Sequence, residues 1–196
     1  MKSAWMFLIG GACGAAIVLL PRAAVHLLAA AHAIRGSQAP VGAERAHTEE
    51  KFIFTVHAPM EKAAPLFGAD KERVWAPGWD PHFIHPLPAT DAQGMVFTVA
   101  HDHLKSVWVN TELNLKAGRV QYVYVIPDML VTVITLSLKS EDNQTRVEVQ
   151  YDRTALNAEA DAHVQHLAKE DRNAGPDWEG QINEYLEKRQ GSGKNL

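Results

Sequence analysis

The chain has 196 residues, a formal net charge of -4, a pI near 6.2 and 46% apolar residues, enough for one domain of ordinary size plus an extra segment. It carries no basic surplus to neutralise a phosphate backbone, which argues against nucleic acid as a partner. Cys13 is the single cysteine, so neither an internal disulfide nor a cysteine-based zinc site can form.

Residues 4–20 contain no charged or strongly polar side chain, follow Lys2 and end at Pro21-Arg22. A run of 17 residues is at the short limit for a bilayer-spanning helix and slightly long for the apolar part of a signal peptide. A single-pass N-terminal membrane anchor is the favoured reading of residues 1–22. Secretion after cleavage near Ala33 is the alternative, against which Arg22 and His26 separate Ala31-His32-Ala33 from the apolar run. Gly10 stands where a lipoprotein signal wants a larger aliphatic residue. Lys2 and the terminal amine on one flank and Arg22 and Arg35 on the other nearly balance, with the domain expected on the extracytoplasmic side. Residues 23–48 read as a juxtamembrane helix and a flexible Gly36-to-Gly42 tether, residues 49–190 as the folded domain and 191–196 as a flexible tail.

Within the domain, Lys51 to Ala58 alternates as a strand. Pro59 ends it, and two short helices are expected over Met60–Phe67 and Asp70–Trp75, the second carrying Trp75 under the sheet. Trp75 and Trp79 then bracket Ala-Pro-Gly, a sharp turn favoured by Pro77 and Gly78. Strand patterns follow at His82–Leu87, Met95–His103, Ser106–Leu113, Arg119–Ile126, Met129–Leu138 and Thr145–Asp152, joined by short turns that make neighbours antiparallel. The last is the cleanest, with Thr145, Val147, Val149 and Tyr151 on a dry face and Arg146, Glu148, Gln150 and Asp152 on a wet one. Trp108, which shares a strand face with Asn110 and Glu112, is expected on the outside. From Asn157 the period becomes helical, interrupted at Asn173-Ala174-Gly175-Pro176; Trp178, Ile182, Tyr185 and Leu186 share one face of the last helix, expected to lie across the sheet. Layer logic makes this an α+β sandwich: a curved antiparallel sheet of about seven strands, two short helices after the first strand and a long C-terminal helical element.

The run Glu72-x-x-Trp75-Ala76-Pro77-Gly78-Trp79, with Val56-x-Ala58-Pro59, Gly94-x-Val96-Phe97, Trp108, Trp178 and Tyr185-Leu186 in this order, resembles the START-like (SRPBCC) superfamily of lipid-transfer domains, birch-allergen-like proteins and polyketide cyclases. The resemblance spans about Phe52 to Leu186 and implies a helix-grip fold with a cavity for a hydrophobic small molecule or lipid between sheet and C-terminal helix. Residues expected around that cavity are Trp75, Trp79, Phe97, His101, Tyr122, Tyr124, Tyr151, Trp178 and Tyr185. The expected function is a membrane-tethered carrier or sensor. The alternatives are a cyclase- or dehydratase-like enzyme with His101, Asp102 or His103 as acid or base and Tyr122 or Tyr124 as donor, and a structural module filled by its own side chains.

His82 with His85, His101 with His103 and His163 with His166 have ligand-like spacing, but a zinc site needs three protein ligands or more, so no metal and no cofactor is assigned. Glu72-Arg73, Asp80-Pro81 and Lys169-Glu170-Asp171-Arg172 read as turn and solvated surface charges. The absence of a Gly-x-Ser-x-Gly elbow, a phosphate loop or a dinucleotide glycine fingerprint leaves hydrolase, kinase and NAD-dependent readings without support.

Overall fold

The computed structural model describes residues 44–101 and 104–192. The anchor expected at residues 4–20, the cleavage site near Ala33, the tether and Cys13 lie outside the described residues. Among the described residues no helix is long and apolar enough to cross a membrane.

Seven antiparallel strands form one curved sheet: β1 (His47–Val56), β2 (His82–His85), β3 (Val96–His101), β4 (Leu104–Asn114), β5 (Arg119–Ile126), β6 (Leu130–Glu141) and β7 (Gln144–Ala155). Their spatial order is β1-β7-β6-β5-β4-β3-β2. From β2 onward each strand pairs with its chain neighbour, as short turns dictate; Asp128 and Asp142 take positive φ at two of these turns, a conformation Asp tolerates. Because β1 and β2 lie at opposite edges, the chain between them must cross the whole sheet. It crosses over one face as helix α1 (Met60–Ala63), a 3₁₀ turn at Ala64–Phe67 and another at Lys71–Val74, where short pieces around Pro65 and Gly68 cannot sustain an α-helix.

That inner face holds the core. The alternation in β7 is as the sequence implies, with Thr145, Val147, Val149 and Tyr151 buried and the intervening residues partly solvated. Phe52, Phe54 and Val56 of β1 are buried beside them. The C-terminal element is two helices, α2 (Asp161–Asn173) and α3 (Gly175–Ser192), broken where Pro176 cannot continue the preceding ladder and suits a helix first turn. α2 packs on β1 and β7, and α3 on β1. Trp178 fills the seam, its ring 5.5 Å from Phe52 and 5.9 Å from Phe54. One turn on from Trp178, α3 also closes the open edge of β1. The Thr55 N–H donates to Glu179 (2.9 Å), the His57 N–H donates to Asn183 (2.7 Å), and the Asn183 amide donates to the Thr55 carbonyl (2.9 Å). A bare strand edge is thereby satisfied.

The outward assignment of Trp108 is corrected. The pairing of β4 with β5 slips between Asn110 and Glu112, a bulge at Thr111 that changes the phase of the alternation. Glu112 therefore aligns with Gln121 on the outer face, whereas Trp108 and Asn110 align with Tyr124 and Tyr122 and are 5% and 0% exposed.

Candidate functional site

Register places the inner-face side chains in rows. One row runs Arg153, Thr132, Tyr124, Trp108, Phe97, Phe83 across β7 to β2; the next runs Tyr151, Ile134, Tyr122, Asn110. Trp108 stacks on Tyr124 with centroids 4.2 Å apart and on Phe97 at 5.6 Å. The crossing segment lays one indole over this floor and sets the other against α3. Trp79 meets Trp108 edge-on at 5.3 Å and Phe97 at 5.9 Å, while Trp75 lies 5.5 Å from Trp178 and 6.3 Å from Phe67.

The crossing segment is held by its own carbonyls. Trp75 Nε1 donates to Leu66 O (2.7 Å), Trp79 Nε1 to Ala69 O (2.7 Å) and the Tyr122 hydroxyl to Phe67 O (2.9 Å). Gly78, at φ 82°, makes the turn between the indoles in a conformation that side chains resist. Asp91 descends on the segment, accepting from the Asp70 N–H at 2.9 Å. A Cβ on Gly68 would stand 2.3 Å from its Oδ2, so only glycine admits that carboxylate there.

Acidic and phenolic groups crowd this end. Burial, with the nearby Asp91, pushes the Glu72 carboxyl well above its ordinary range, which corrects its reading as a plain surface charge. Burial likewise raises Asp91, against bonds from the Asp70 and Lys71 backbone that lower it. Tyr122 is pushed well up by burial and then by Glu72 and Asp91. Asn110 lies near enough to favour the ionised form of Tyr122, yet neither its Nδ2 nor its Oδ1 completes a hydrogen bond of acceptable geometry. A buried polar group left so costs about 1–3 kcal/mol.

At the other end the polar groups are paired. Arg153, with no exposure, donates from Nε to Asp171 Oδ2 (2.6 Å), from Nη2 to Asp171 Oδ1 (2.7 Å), and from Nη1 to Thr132 Oγ1 (3.1 Å) and the Tyr124 hydroxyl, with its guanidinium 4.6 Å from the centroid of Tyr151. Burial works against its charge, but Tyr124, Asp171 and Tyr151 outweigh that and hold it protonated. Burial lifts Asp171 and the Arg153 fork pulls it back; the bidentate geometry keeps the pair as guanidinium and carboxylate. Asp171 is thus corrected from a solvated charge to the buried anchor of α2.

No family model matches the chain, and no curated protein matches it in sequence. Solved structures do. Norcoclaurine synthase from Thalictrum flavum superposes with a TM-score of 0.57 at 9% identity over 88% of this chain and 98% of that one. The Zhui aromatase/cyclase from Streptomyces sp. R1128 gives 0.55 at 13% identity over 73% and 95%. The domain has the START-like helix-grip fold. The synthase solved with dopamine and hydroxybenzaldehyde gives 0.50 at 8% identity over 79% and 87%, and this chain spans 47% of the length of DynU16, from the dynemicin biosynthetic locus, at 0.49 and 15% identity over 71% of this chain.

In this fold, Trp75, Phe97, Tyr122, Tyr124, Tyr151 and Trp178 are buried on or against the inner face, and Trp79 is half-buried over it. Tyr185 is apart, half-exposed and accepting from Arg189 at 3.1 Å. β3 ends at His101; its side chain, and Asp102 and His103, lie outside the described residues. His163 is half-buried on α2, its pKa lowered by burial and then by Arg153, and His166 faces Glu170 at 3.4 Å. His82 and His85 flank buried Phe83 as exposed residues. No group of three metal-binding side chains occurs among the described residues. The sequence reading missed Arg153, Asp171 and Asn110 as buried polar residues and Glu72 as a half-buried one.

Proposed function

We propose that this START-like domain binds a hydrophobic small molecule or lipid, aromatic or ring-sized, between the inner face of the sheet and the segments that cover it. The observation that carries the reading is the aromatic row Phe83, Phe97, Trp108, Tyr124 across four neighbouring strands, under the Trp79 indole of the crossing segment. Apolar walls with few placed polar groups suit such ligands. The aromatic small molecules named with the norcoclaurine synthase structure support ring-sized occupants. With residues 4–20 as an anchor, the domain acts beside a bilayer as a tethered carrier or sensor, passing an apolar ligand without an aqueous path.

The test is native mass spectrometry of the full chain, followed by organic extraction and a thermal-shift screen. Added mass that extracts as a defined apolar compound, and a rise in Tm when it is restored, are expected, because a ligand of the folded state stabilises it. A bare mass with no compound shifting Tm overturns the reading and favours a core filled by its own rings, for which the close stacking of Trp108 on Tyr124 speaks.

A further inference from the structure

Asn110 is the polar side chain that the inner face leaves unspent. It lies in the middle of β4, is fully buried, and neither of its amide atoms has a hydrogen-bond partner. Its backbone is fixed by the residues that lead into β3: its N–H donates to Met95 O at 3.0 Å and its carbonyl accepts from Gly94 N at 2.8 Å. Directly after it comes the bulge at Thr111. The register sets Asn110 opposite Tyr122, in the row next to Trp108 and Tyr124. A folded chain pairs nearly all of its buried polar atoms; the Tyr122 oxygen opposite is placed to take at most one amide hydrogen, so Oδ1 and the second hydrogen of this amide are left for a partner from outside the chain.

We infer that Asn110 is the residue that reads the polar edge of the bound apolar molecule, and that this edge carries a neutral hydroxyl or carbonyl oxygen. The inference rests on the apolar-ligand reading above. The neighbours select the chemistry. The Tyr122 proton is committed to Phe67 O, so its oxygen can only accept. Asp91 is spent on the backbone N–H of Asp70. Of the two carboxyl groups near Tyr122, Asp91 is set against an anionic head and Glu72, which burial makes reluctant to ionise, brings it no positive charge, while an uncharged amide offers an ammonium no counter-charge. A neutral oxygen that accepts from the Asn110 Nδ2 group, or a hydroxyl that also donates to its Oδ1, satisfies what the fold leaves open. An otherwise identical ligand without that oxygen leaves the amide unpaired, which is how a site built to hydrogen-bond one group discriminates most strongly.

The test uses two ring probes of equal size, 2-naphthol and 2-methylnaphthalene, with affinities for the full chain measured by equilibrium dialysis. Each affinity also reflects how readily the probe leaves water, so the quantity read is the change in the naphthol-to-methylnaphthalene affinity ratio between wild type and Asn110→Leu, in which that term cancels. A fall of about tenfold or more is expected, with 2-methylnaphthalene held as well or better. If the ratio is unchanged and both probes still bind, the inference is overturned while the apolar-ligand reading stands; a buried water is then the partner of Asn110. Loss of both probes from a folded variant also overturns it, since the residue would then only shape the space. Binding of neither probe by wild type overturns the apolar-ligand reading for ring-sized molecules and the inference with it. Asn110→Ala carries the same expectation should Asn110→Leu fail to give the wild-type circular dichroism spectrum.

Discussion

At the β1 and β7 end of the inner face, Arg153, Asp171, Glu179, Asn183 and Thr145 each bond across elements, tying helices or the crossing segment to the sheet. At the β4 and β5 end, Asn110 has no partner, Glu72 resists ionisation and the surrounding surfaces are aromatic. The difference separates a gripping end, where polar groups are consumed by architecture, from an end where Asn110 is not and where the proposed ligand would be read. Stability and recognition should accordingly be separable by mutation.

The largest effect is expected at the grip. Asp171→Ala leaves the Arg153 guanidinium buried without its carboxylate, a type of lesion that costs about 3–5 kcal/mol. Urea unfolding should show that loss, and replacing both partners, Arg153→Met with Asp171→Leu, should recover most of it. Recovery would show that the penalty lies in the orphaned charge; no loss in the single variant would mean that α2 is held by its apolar face alone. Next comes Asn183→Ala, which removes two bonds to the β1 edge and leaves the Thr55 carbonyl and His57 N–H to find water. A loss of about 1–3 kcal/mol is expected, together with faster amide exchange at His57, the local signature of a released edge. If exchange there does not change, α3 is not what closes β1.

Much of this division was legible in residue patterns, and its failures have physical causes. The strict alternation from Thr145 to Tyr151 identified the dry face of β7, but the strand continues to Ala155, and one more step along that face is Arg153. Likewise Val164, Leu167, Ala168 and Asp171 follow helical spacing, so the apolar stripe of α2 itself points to a buried Asp171, whereas the mixed-sign run from Lys169 to Arg172 suggested solvent. Trp108 was misplaced because strand periodicity assumes an unbroken phase, and the bulge at Thr111 breaks it while Glu112 still looks regular in sequence. Glu72 had no comparable signal. It lies in a short 3₁₀ turn with no sustained period, where burial depends on how the segment crosses the sheet.

Glu72 also gives the sharpest pH test of the ligand-facing end. Its folded pKa is raised above the ordinary 4.5, chiefly by burial, so between 4.5 and the folded value the native state holds a proton that the unfolded chain has released. By linkage, the stability contribution is fully present below pH 4.5 and is lost as pH rises through that window. Asp91, raised from 3.8, acts with the same sign from a lower starting point. Glu72→Gln keeps the volume and removes the ionisation. Its urea midpoint should match wild type at pH 4 and exceed it progressively at pH 6 and 8. The residue keeps some solvent contact, so screening trims this gain below the losses at Asp171 and Asn183. Parallel wild-type and variant curves from pH 4 to 8 would mean that the Glu72 carboxyl ionises as it does in water, and the ligand-facing end would lose its neutral acid.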